Sequence, residues 1–299
     1  MIHELQARSG VEIQANVPLS GCTSLRLGGP ADCFAEPDSP EALARLLAAA
    51  RALAVPVTVI GRGSHRLVRD GGIRGLGIRI GRPMSGLRQE GLTVTAGAGA
   101  TLGELARFAA QRDLAGLAFA AGIPGSVGGG VVMNAGAYGG ELGKRVTRVE
   151  GVSQDGAFFT LAHDELAFGY RHSALQDADP ARIVTRVTFA LLPGSRAEIE
   201  AEMAELARRR AEKQPLNVPS AGSTFKRPAG HFAAALIDQC GLKGYAVGGA
   251  SVSEKHAGFL VNQGGTAADF ERLMNEVAAR VLAETGVRLE PEVRVLGEA

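Results

Sequence analysis

The chain has 299 residues, enough for a large core and for two or three domains. Its 32 basic residues nearly balance its 31 acidic ones, which argues against a nucleic-acid or anionic-membrane partner attracted by long-range charge. Three cysteines without metal-type spacing indicate reduced thiols rather than a disulfide framework or a metal site. No apolar run is long enough to cross a membrane, so we expect a cytoplasmic protein without membrane insertion.

The first part of the chain alternates between predicted helices and strands. Ser39 and Pro40 begin a helix in the preferred way, with a serine cap followed by proline at the first helical position. Thr101 and Glu104 form a capping box for a second helix. The predicted elements here are a helix to Leu53, strands at Val55–Ile60 and Leu92–Ala96, and a helix from Thr101 to about Asp113.

The remaining chain contains more strands, two long helices and one linker. Ser195 and Glu198 predict a second capping box, and the segment QPLNVPSAGSTF reads as a linker because Pro215 and Pro219 break the pattern. The predicted strands are Val146–Val152, Phe158–Leu161, Ile183–Leu192, Tyr245–Ser253, Phe259–Asn262 and Val287–Leu296, with a loop at Phe168–Leu175 and helices to Lys213, at His231–Cys240 and at Thr266–Thr285.

Glycine is the compositional outlier: 41 of the 299 residues are glycine, close to double the average share of about 7%. Two segments concentrate it: GRGSH at residues 61–65, directly after a predicted strand, and AGIPGSVGGGVVMNAGAYGG at residues 121–140. Clustered glycine N–H groups can converge on an anion, so the two segments suggest one ligand with an extended phosphate bridge. GRGSH lacks the third glycine of the dinucleotide fingerprint, and ordinary turns in a glycine-rich protein are the alternative.

Seven motifs carry a resemblance to a known family. They are TSLRLGGPADCFAEP (Thr23–Pro37), IGRGSHRLVRDGGIRG (Ile60–Gly75), AGIPGSVGGGVVMNAGAYG (from Ala121), GYRHSAL (Gly169–Leu175), PSAGSTFKRP (Pro219–Pro228), LKGYAVGGASVSEKHAGFLVN (Leu242–Asn262) and LEPEVRVLG (Leu289–Gly297). In this order they resemble the UDP-N-acetylenolpyruvoylglucosamine reductase family over nearly the whole chain. The resemblance implies a flavoprotein of peptidoglycan precursor synthesis, in which NADPH reduces FAD and the flavin reduces the enolpyruvyl ether of a UDP-sugar.

The resemblance also implies the architecture. The expected fold class is α+β, with a two-lobed FAD-binding domain of the PCMH or vanillyl-alcohol-oxidase type followed by a smaller α+β substrate-binding domain. The expected domains are residues 1–85 and 86–205 for the two FAD lobes and 206–292 for the substrate domain, with the tail 293–299 returning to the first lobe. Only about fifty residues separate Arg171 from Ser223, which is similar to the shorter class of the family, without an added loop over the substrate.

Three residues are implied at the reacting centre by their motifs. Arg171 would hold the substrate carboxylate, Ser223 would donate a proton, and Glu292 would act with Arg171 on an enolate. Taken singly, they could be an ion-pair partner, a turn residue and a surface strand residue. The residues implied for FAD are Gly61, Arg62, Gly63, Ser64, His65, Gly122, Ile123, Pro124, Gly125, Ser126, Gly129, Asn134, Ala135 and Gly136, and those implied for substrate or NADPH are Tyr170, Lys213, Lys226 and His256.

One residue departs from the family pattern, since the first loop usually reads GxGSN and this chain has His65. Imidazole is larger than an amide and titratable, so the substitution bears on the affinity for FAD. Non-covalent FAD is expected, with a covalent bond through histidine as the alternative. Two other functions stay open: an oxidase or dehydrogenase of a small alcohol or hydroxy acid on the same scaffold, and a nucleotide-sugar binder that has lost flavin. The sequence leaves the oligomeric state and the choice between NADPH and NADH open.

Overall fold

The computed structural model describes residues 1–299 and contains seven α-helices and nineteen short strands. The helices are α1 (Ile2–Ser9), α2 (Pro40–Ala52), α3 (Leu102–Ala110), α4 (Val127–Val132), α5 (Arg196–Lys213), α6 (Ala233–Gln239) and α7 (Ala267–Thr285). The strands are β1 (Gln14–Pro18), β2 (Pro30–Ala35), β3 (Val57–Ile60), β4 (Arg66–Val68), β5 (Ile73–Arg79), β6 (Leu87–Glu90), β7 (Thr93–Gly97), β8 (Leu114–Ala115), β9 (Gly136–Ala137), β10 (Gly140–Glu141), β11 (Val146–Ser153), β12 (Phe158–Ala162), β13 (Arg182–Ala190), β14 (Leu192–Pro193), β15 (Ser220–Ser223), β16 (Ala246–Val247), β17 (Ala250–Val252), β18 (Phe259–Asn262) and β19 (Arg294–Leu296).

The chain divides into two compact units that are interleaved in sequence. Unit 1 comprises residues 1–15, 33–62 and 75–209, and unit 2 comprises residues 16–32, 63–74 and 210–299. Strands β1, β2 and β5, which belong to a sheet of order β1-β2-β5-β3, each contain a point where the chain leaves one unit for the other. The predicted division into domains of residues 1–85, 86–205 and 206–292, with the tail 293–299 returning to the first, stays a prediction.

Unit 1 is built on a five-stranded antiparallel sheet of order β12-β11-β13-β7-β6. Helix α2 packs against β11, and α4 packs against β13. The inward side chains Leu43, Leu46, Val149, Val187 and Phe189 are fully buried. An apolar stripe at helical spacing thus lies on an apolar sheet face, which gives this unit its main core.

Unit 2 has a four-stranded antiparallel sheet of order β15-β18-β17-β16, with α7 packed against β16, β17 and β18. Phe270, Leu273 and Val277 of α7 are fully buried at helical spacing. The parallel pair β4 and β19 also lies in this unit. Its core takes Leu25, Leu27 and Leu67 from the first third of the chain.

Most of the predicted elements are confirmed to within a few residues. Ser39 Oγ accepts the amide of Ala42, the Thr101 capping box is present, and α7 ends at left-handed Gly286. The α+β fold class is also correct. No helix combines the length and the apolar character that a membrane crossing requires.

Helix α5 begins at Arg196, directly after Ser195 as predicted, and its first amide donates to the carboxylate of Asp113. The capping box of Ser195 and Glu198 stays a prediction. Two predictions about strand ends are wrong in part. The strand predicted at 183–192 is broken, because Leu192 and Pro193 pair with β8 rather than with β7. The strand predicted at 287–296 forms only over its last three residues. Helices α1 and α4 were not predicted.

Candidate active site

The first glycine loop follows β3, and in unit 1 it lies beside the second. A Cβ on Gly61 would be 3.0 Å from Oγ of Ser126, so the two segments predicted to share a ligand meet at this point. Ser126 also pairs with Thr101 in an isolated antiparallel β-bridge. The Thr101 amide donates to the Glu104 carboxylate, and this hydrogen bond lowers the pKa of Glu104. The positive charge of Arg62 lowers that pKa further. Arg62 is exposed, so a cation lies close to the meeting point of the loops.

The rest of the first loop belongs to unit 2. Gly63 is buried with φ +59°, and a Cβ there would overlap the carbonyl oxygen of Cys22. Its own carbonyl accepts the amide of Ser24 at 3.2 Å. Only glycine fits this left-handed, close-packed position, so Gly63 is explained by the protein's own packing.

The glycines of the second loop fall into two groups. Ser126 caps α4 by accepting the amide of Gly129 at 3.3 Å. A Cβ on Gly128 would be 2.9 Å from Cβ of Ala98, and one on Gly130 would be 2.9 Å from a methyl group of Leu142. These two glycines let α4 pack closely, whereas Gly129 is exposed and a Cβ there would meet only Oγ of Ser126, at 3.4 Å.

The remaining residues predicted to bind FAD from the second loop are all exposed or half-buried. They are Gly122, Ile123, Pro124, Gly125, Ala135 and Gly136. Glycine backbone without shielding side chains, the Ser126 hydroxyl and the Arg62 cation are the groups that approach a phosphate. The two loops of unit 1 therefore fit a ligand with an extended phosphate bridge.

Arg171 lies in unit 1, in the loop after Phe168. The residue has φ +54°, and its guanidinium donates to the carbonyl of Gly136 at 3.2 Å. Ser173 and Gln176 anchor the loop, because both side chains donate to the carbonyl of Val132 at the end of α4. The glycine segment and the loop of Arg171 are thus held together by direct hydrogen bonds. The predicted loop at Phe168–Leu175 is confirmed, whereas its two anchors were not predicted.

Asn134 is buried, and its side-chain amide bonds to the protein. Its Nδ2 donates to the carbonyl of Gly169 at 2.9 Å, and its Oδ1 accepts the amide of Gly143 at 2.8 Å. The residue has φ +43°, a conformation that asparagine tolerates better than most residues. Asn134 therefore fixes the loop of Arg171 against the glycine segment, and its predicted contact with FAD stays a prediction.

Ser223 and Glu292 are brought together in unit 2. Ser223 is exposed at the end of β15, and the next residue, Thr224, accepts the amide of Glu292 at 2.8 Å through its carbonyl. The Thr224 hydroxyl is fully buried and accepts the amide of Leu260, which locks this strand to β18. Gly222 has φ +78° within a bulge, so the chain turns just before Ser223.

His65 lies beside both of these segments. Its Nδ1 is 2.8 Å from the carbonyl of Ala221, and its Nε2 is 3.3 Å from Oε1 of Glu292. Glu292 is only 9% exposed, and Nε2 of His65 is buried without a hydrogen bond of good geometry. The separation is that of an ion pair rather than of a well-formed hydrogen bond.

The residues predicted for substrate or NADPH are distributed over both units. In unit 1, Tyr170 is exposed with its ring 5.3 Å from the guanidinium carbon of Arg171. In unit 2, Lys213 is exposed, and Lys226 lies 3.4 Å from Glu290.

His256 is half-buried and accepts the amide of Gly258 through Nδ1, and burial lowers its pKa. His256 is thus held as a neutral imidazole that packs on its own loop.

Two families match separate parts of the chain. Residues 31–162 match a family described as FAD binding domain, and residues 214–296 match the C-terminal domain of UDP-N-acetylenolpyruvoylglucosamine reductase. A reductase of that name from Levilactobacillus brevis is 49% identical over 289 residues, covering 96% of this chain and 94% of the relative. Another from Streptococcus pneumoniae is 46% identical over 296 residues, covering 99% and 97%.

Solved structures give the same result. The crystal structure of UDP-N-acetylenolpyruvylglucosamine reductase from Thermus caldophilus superposes with a TM-score of 0.79 at 38% identity, covering 95% of this chain and 98% of that one. A berberine bridge enzyme variant matches in fold alone, with a TM-score of 0.50, 15% identity and coverage of 65% and 43%. On both sequence and structure, the chain belongs to the UDP-N-acetylenolpyruvoylglucosamine reductase family of FAD-binding oxidoreductases.

Proposed function

We propose that this chain reduces the enolpyruvyl ether of UDP-N-acetylglucosamine enolpyruvate to the lactyl ether of UDP-N-acetylmuramate, with NADPH as electron donor. One hydride and one proton add across the carbon–carbon double bond while NADPH becomes NADP⁺. The observation that carries the proposal is the hydrogen bond between the Thr224 carbonyl and the Glu292 amide, which joins the segment of the buried Glu292 to the strand that ends at the exposed Ser223. The substrates are soluble nucleotides, which is consistent with a cytoplasmic reaction.

FAD, when bound non-covalently, supplies the hydride. The groups proposed to hold it are the two glycine loops, which would act through their backbone, with the exposed Gly129 and the cation of Arg62 directed at phosphates. The contact between Gly61 and Ser126 supports a single ligand for both loops.

Arg171 is proposed to bind the substrate carboxylate. Hydride addition to the outer alkene carbon puts negative charge on the carbon that bears this carboxylate, so a guanidinium fork gains interaction as the charge grows. Its loop is fixed by Ser173, Gln176 and Asn134, which keeps the guanidinium oriented before the substrate arrives.

Ser223 is proposed to donate the proton to this enolate-like carbon. A hydroxyl is a weak acid, so its proton transfer needs a strongly basic carbanion, a neighbouring cation or a water relay. Glu292 is proposed to assist as a buried carboxyl that shares the charge of the enolate with Arg171. Tyr170, Lys213, Lys226 and His256 are proposed to contact the nucleotide portions of substrate or NADPH, since they offer an aromatic face, two cations and a neutral imidazole.

An anaerobic stopped-flow experiment tests the proposal in two steps. NADPH is expected to bleach the yellow holoenzyme, and the enolpyruvyl UDP-sugar is then expected to restore the oxidised flavin spectrum with formation of the lactyl ether. Flavin that bleaches but does not recolour with this sugar would contradict the proposed function. Rapid oxygen consumption with a small alcohol would favour an oxidase instead.

A further inference from the structure

His65 is bound to the two segments that carry Ser223 and Glu292. Its ring spans from the Ala221 carbonyl on β15 to the Glu292 carboxyl, through separations of 2.8 and 3.3 Å. The ring also packs on Gly222, where a Cβ would be 3.9 Å from Nδ1. The side chain of a residue predicted to bind FAD is thus engaged in unit 2 with groups adjacent to the proposed proton donor.

The protein itself fixes which nitrogen carries a hydrogen. A main-chain carbonyl can only accept, so Nδ1 must donate to Ala221. In a neutral ring Nε2 is then an acceptor, and it can pair only with a protonated Glu292. In a doubly protonated ring Nε2 donates to the ionised carboxylate. Either arrangement places one proton between Nε2 and Oε1, since two lone pairs facing each other would repel.

The burial of Nε2 makes this pairing necessary. The atom is buried without a hydrogen bond of good geometry, and Glu292 is the group it faces. A buried polar atom without a partner costs free energy, so the carboxyl 3.3 Å away is the group that would pair with Nε2. Two arginines flank this pair along the chain: Arg66 follows His65, and the amide of Arg294 donates to the His65 carbonyl.

We propose that His65 is a positioning residue for Glu292, which fixes the carboxyl and the shared proton relative to the strand of Ser223. The inference rests on the proposed function, because it gives His65 a task only in the reduction of the enolpyruvyl ether. No bond of the substrate is made or broken by His65. The expected effect therefore falls on the half-reaction that consumes the substrate, and not on FAD binding or on flavin reduction by NADPH.

Two variants separate hydrogen bonding from volume. His65→Leu removes both ring nitrogens, and we expect it to slow flavin reoxidation by the enolpyruvyl UDP-sugar by about 10- to 100-fold. His65→Asn keeps one donor and one acceptor, and we expect it to recover most of the rate. Flavin reduction by NADPH and FAD content are expected to match the wild type. The melting temperature of His65→Leu is expected to fall, because the Ala221 carbonyl loses its imidazole donor. His163→Gln is the control, since His163 also has Nδ1 at 2.8 Å from a carbonyl, that of Val146.

A double-mutant cycle decides whether His65 acts through Glu292. In a Glu292→Gln background, His65→Leu is expected to change the reoxidation rate less than 2-fold. Multiplicative losses in the double variant, a normal reoxidation rate in His65→Leu, or loss of FAD from that variant would each overturn the inference. A wild-type enzyme whose reduced flavin is not reoxidised by the sugar would instead overturn the proposed function, and with it this role of His65.

Discussion

Arg171 combines a side chain proposed to bind the substrate with a strained backbone. Its φ of +54° lies in the left-handed region. This conformation commonly costs a residue with a Cβ about 1–3 kcal/mol of conformational free energy. The hydrogen bonds of Ser173 and Gln176 to Val132 hold the loop in this state. Strain of this kind persists where the surrounding contacts over-determine a conformation, and it fits the role proposed for the guanidinium.

Ser223→Ala tests the proposed proton donor. Removal of a general acid typically slows proton transfer by about 10²–10⁴-fold, so we expect a loss of that size in flavin reoxidation by the enolpyruvyl UDP-sugar. Flavin reduction by NADPH should continue at the wild-type rate, because no proton from Ser223 is needed there. Stopped-flow absorbance measures both steps in one sample. Ser195→Ala, in an exposed turn of unit 1, serves as the control. Equal loss in both half-reactions would argue against a proton-donor role.

Residues of the candidate site could be predicted from the sequence only where they belong to a recognisable motif. Ser223 and Glu292 were predicted from their motifs, and the structure brings their segments together through Thr224. Thr224 itself was missed, because a buried threonine in a short strand has no distinguishing local pattern. His65 was noticed as a departure from the family, but its contact with Glu292 depends on the pairing of β4 with β19, which local sequence does not encode.

At the scale of elements, α4 provides a test of the glycine cradle. Gly129 is exposed, and an added Cβ would have only ordinary contact with Ser126 Oγ, at 3.4 Å. Gly129→Ala should therefore stabilise the apoprotein by about 0.5–1 kcal/mol, since alanine favours a helix over glycine. The same methyl group would obstruct a phosphate bound at the loop, so we expect weaker FAD binding.

Urea unfolding of the apoprotein and flavin fluorescence titration measure these two effects separately. Gly128→Ala is the matched comparison, because its Cβ would be 2.9 Å from that of Ala98 and should destabilise the core. Unchanged FAD affinity in Gly129→Ala would remove α4 from the proposed cradle.

The start of α7 predicts a dependence of stability on pH. A hydrogen bond from the Thr266 amide is the main cause that lowers the pKa of Asp269. A carboxyl with a lowered pKa in the folded state stabilises the protein above its unfolded pKa, near 3.9 by reference. This contribution is lost as pH falls through the folded value. The difference in melting temperature between wild type and Asp269→Asn should thus shrink from pH 7 to pH 3, and a constant difference would contradict the assignment.

Elements with strong local signals were the ones predicted well. Caps at Ser39 and Thr101 and the glycine after α7 are contacts within a few residues, so the sequence shows them directly. The hydrogen bond between the Arg196 amide and Asp113 at the start of α5 was missed because the two residues are far apart in the chain. Helix α4 was missed because three consecutive glycines are poor helix formers, and its packing against the core overrides that preference.

At the scale of the whole molecule, unit 2 depends on early parts of the chain. Its core includes Leu25, Leu27 and Leu67, and the carboxylate of Asp70 accepts the amides of Ala267 and Ala268 at the start of α7. A fragment of residues 210–299 lacks all of these groups. We therefore expect it to show no cooperative thermal transition by circular dichroism, whereas the full chain does. A sharp transition with native helix content would show that the later segment folds alone.

The parallel pairing of β4 with β19 has a consequence for biosynthesis. The two strands are separated by roughly 220 residues, so β4 leaves the ribosome long before its partner exists. During that interval the segment from His65 to Val68 has an unpaired strand edge and needs protection from premature association. His65 and Glu292 meet only after β19 has been made. A prematurely terminated chain could thus contain both glycine loops and still lack this pair, which makes translation of the last strand the step that completes the proposed proton-handling group.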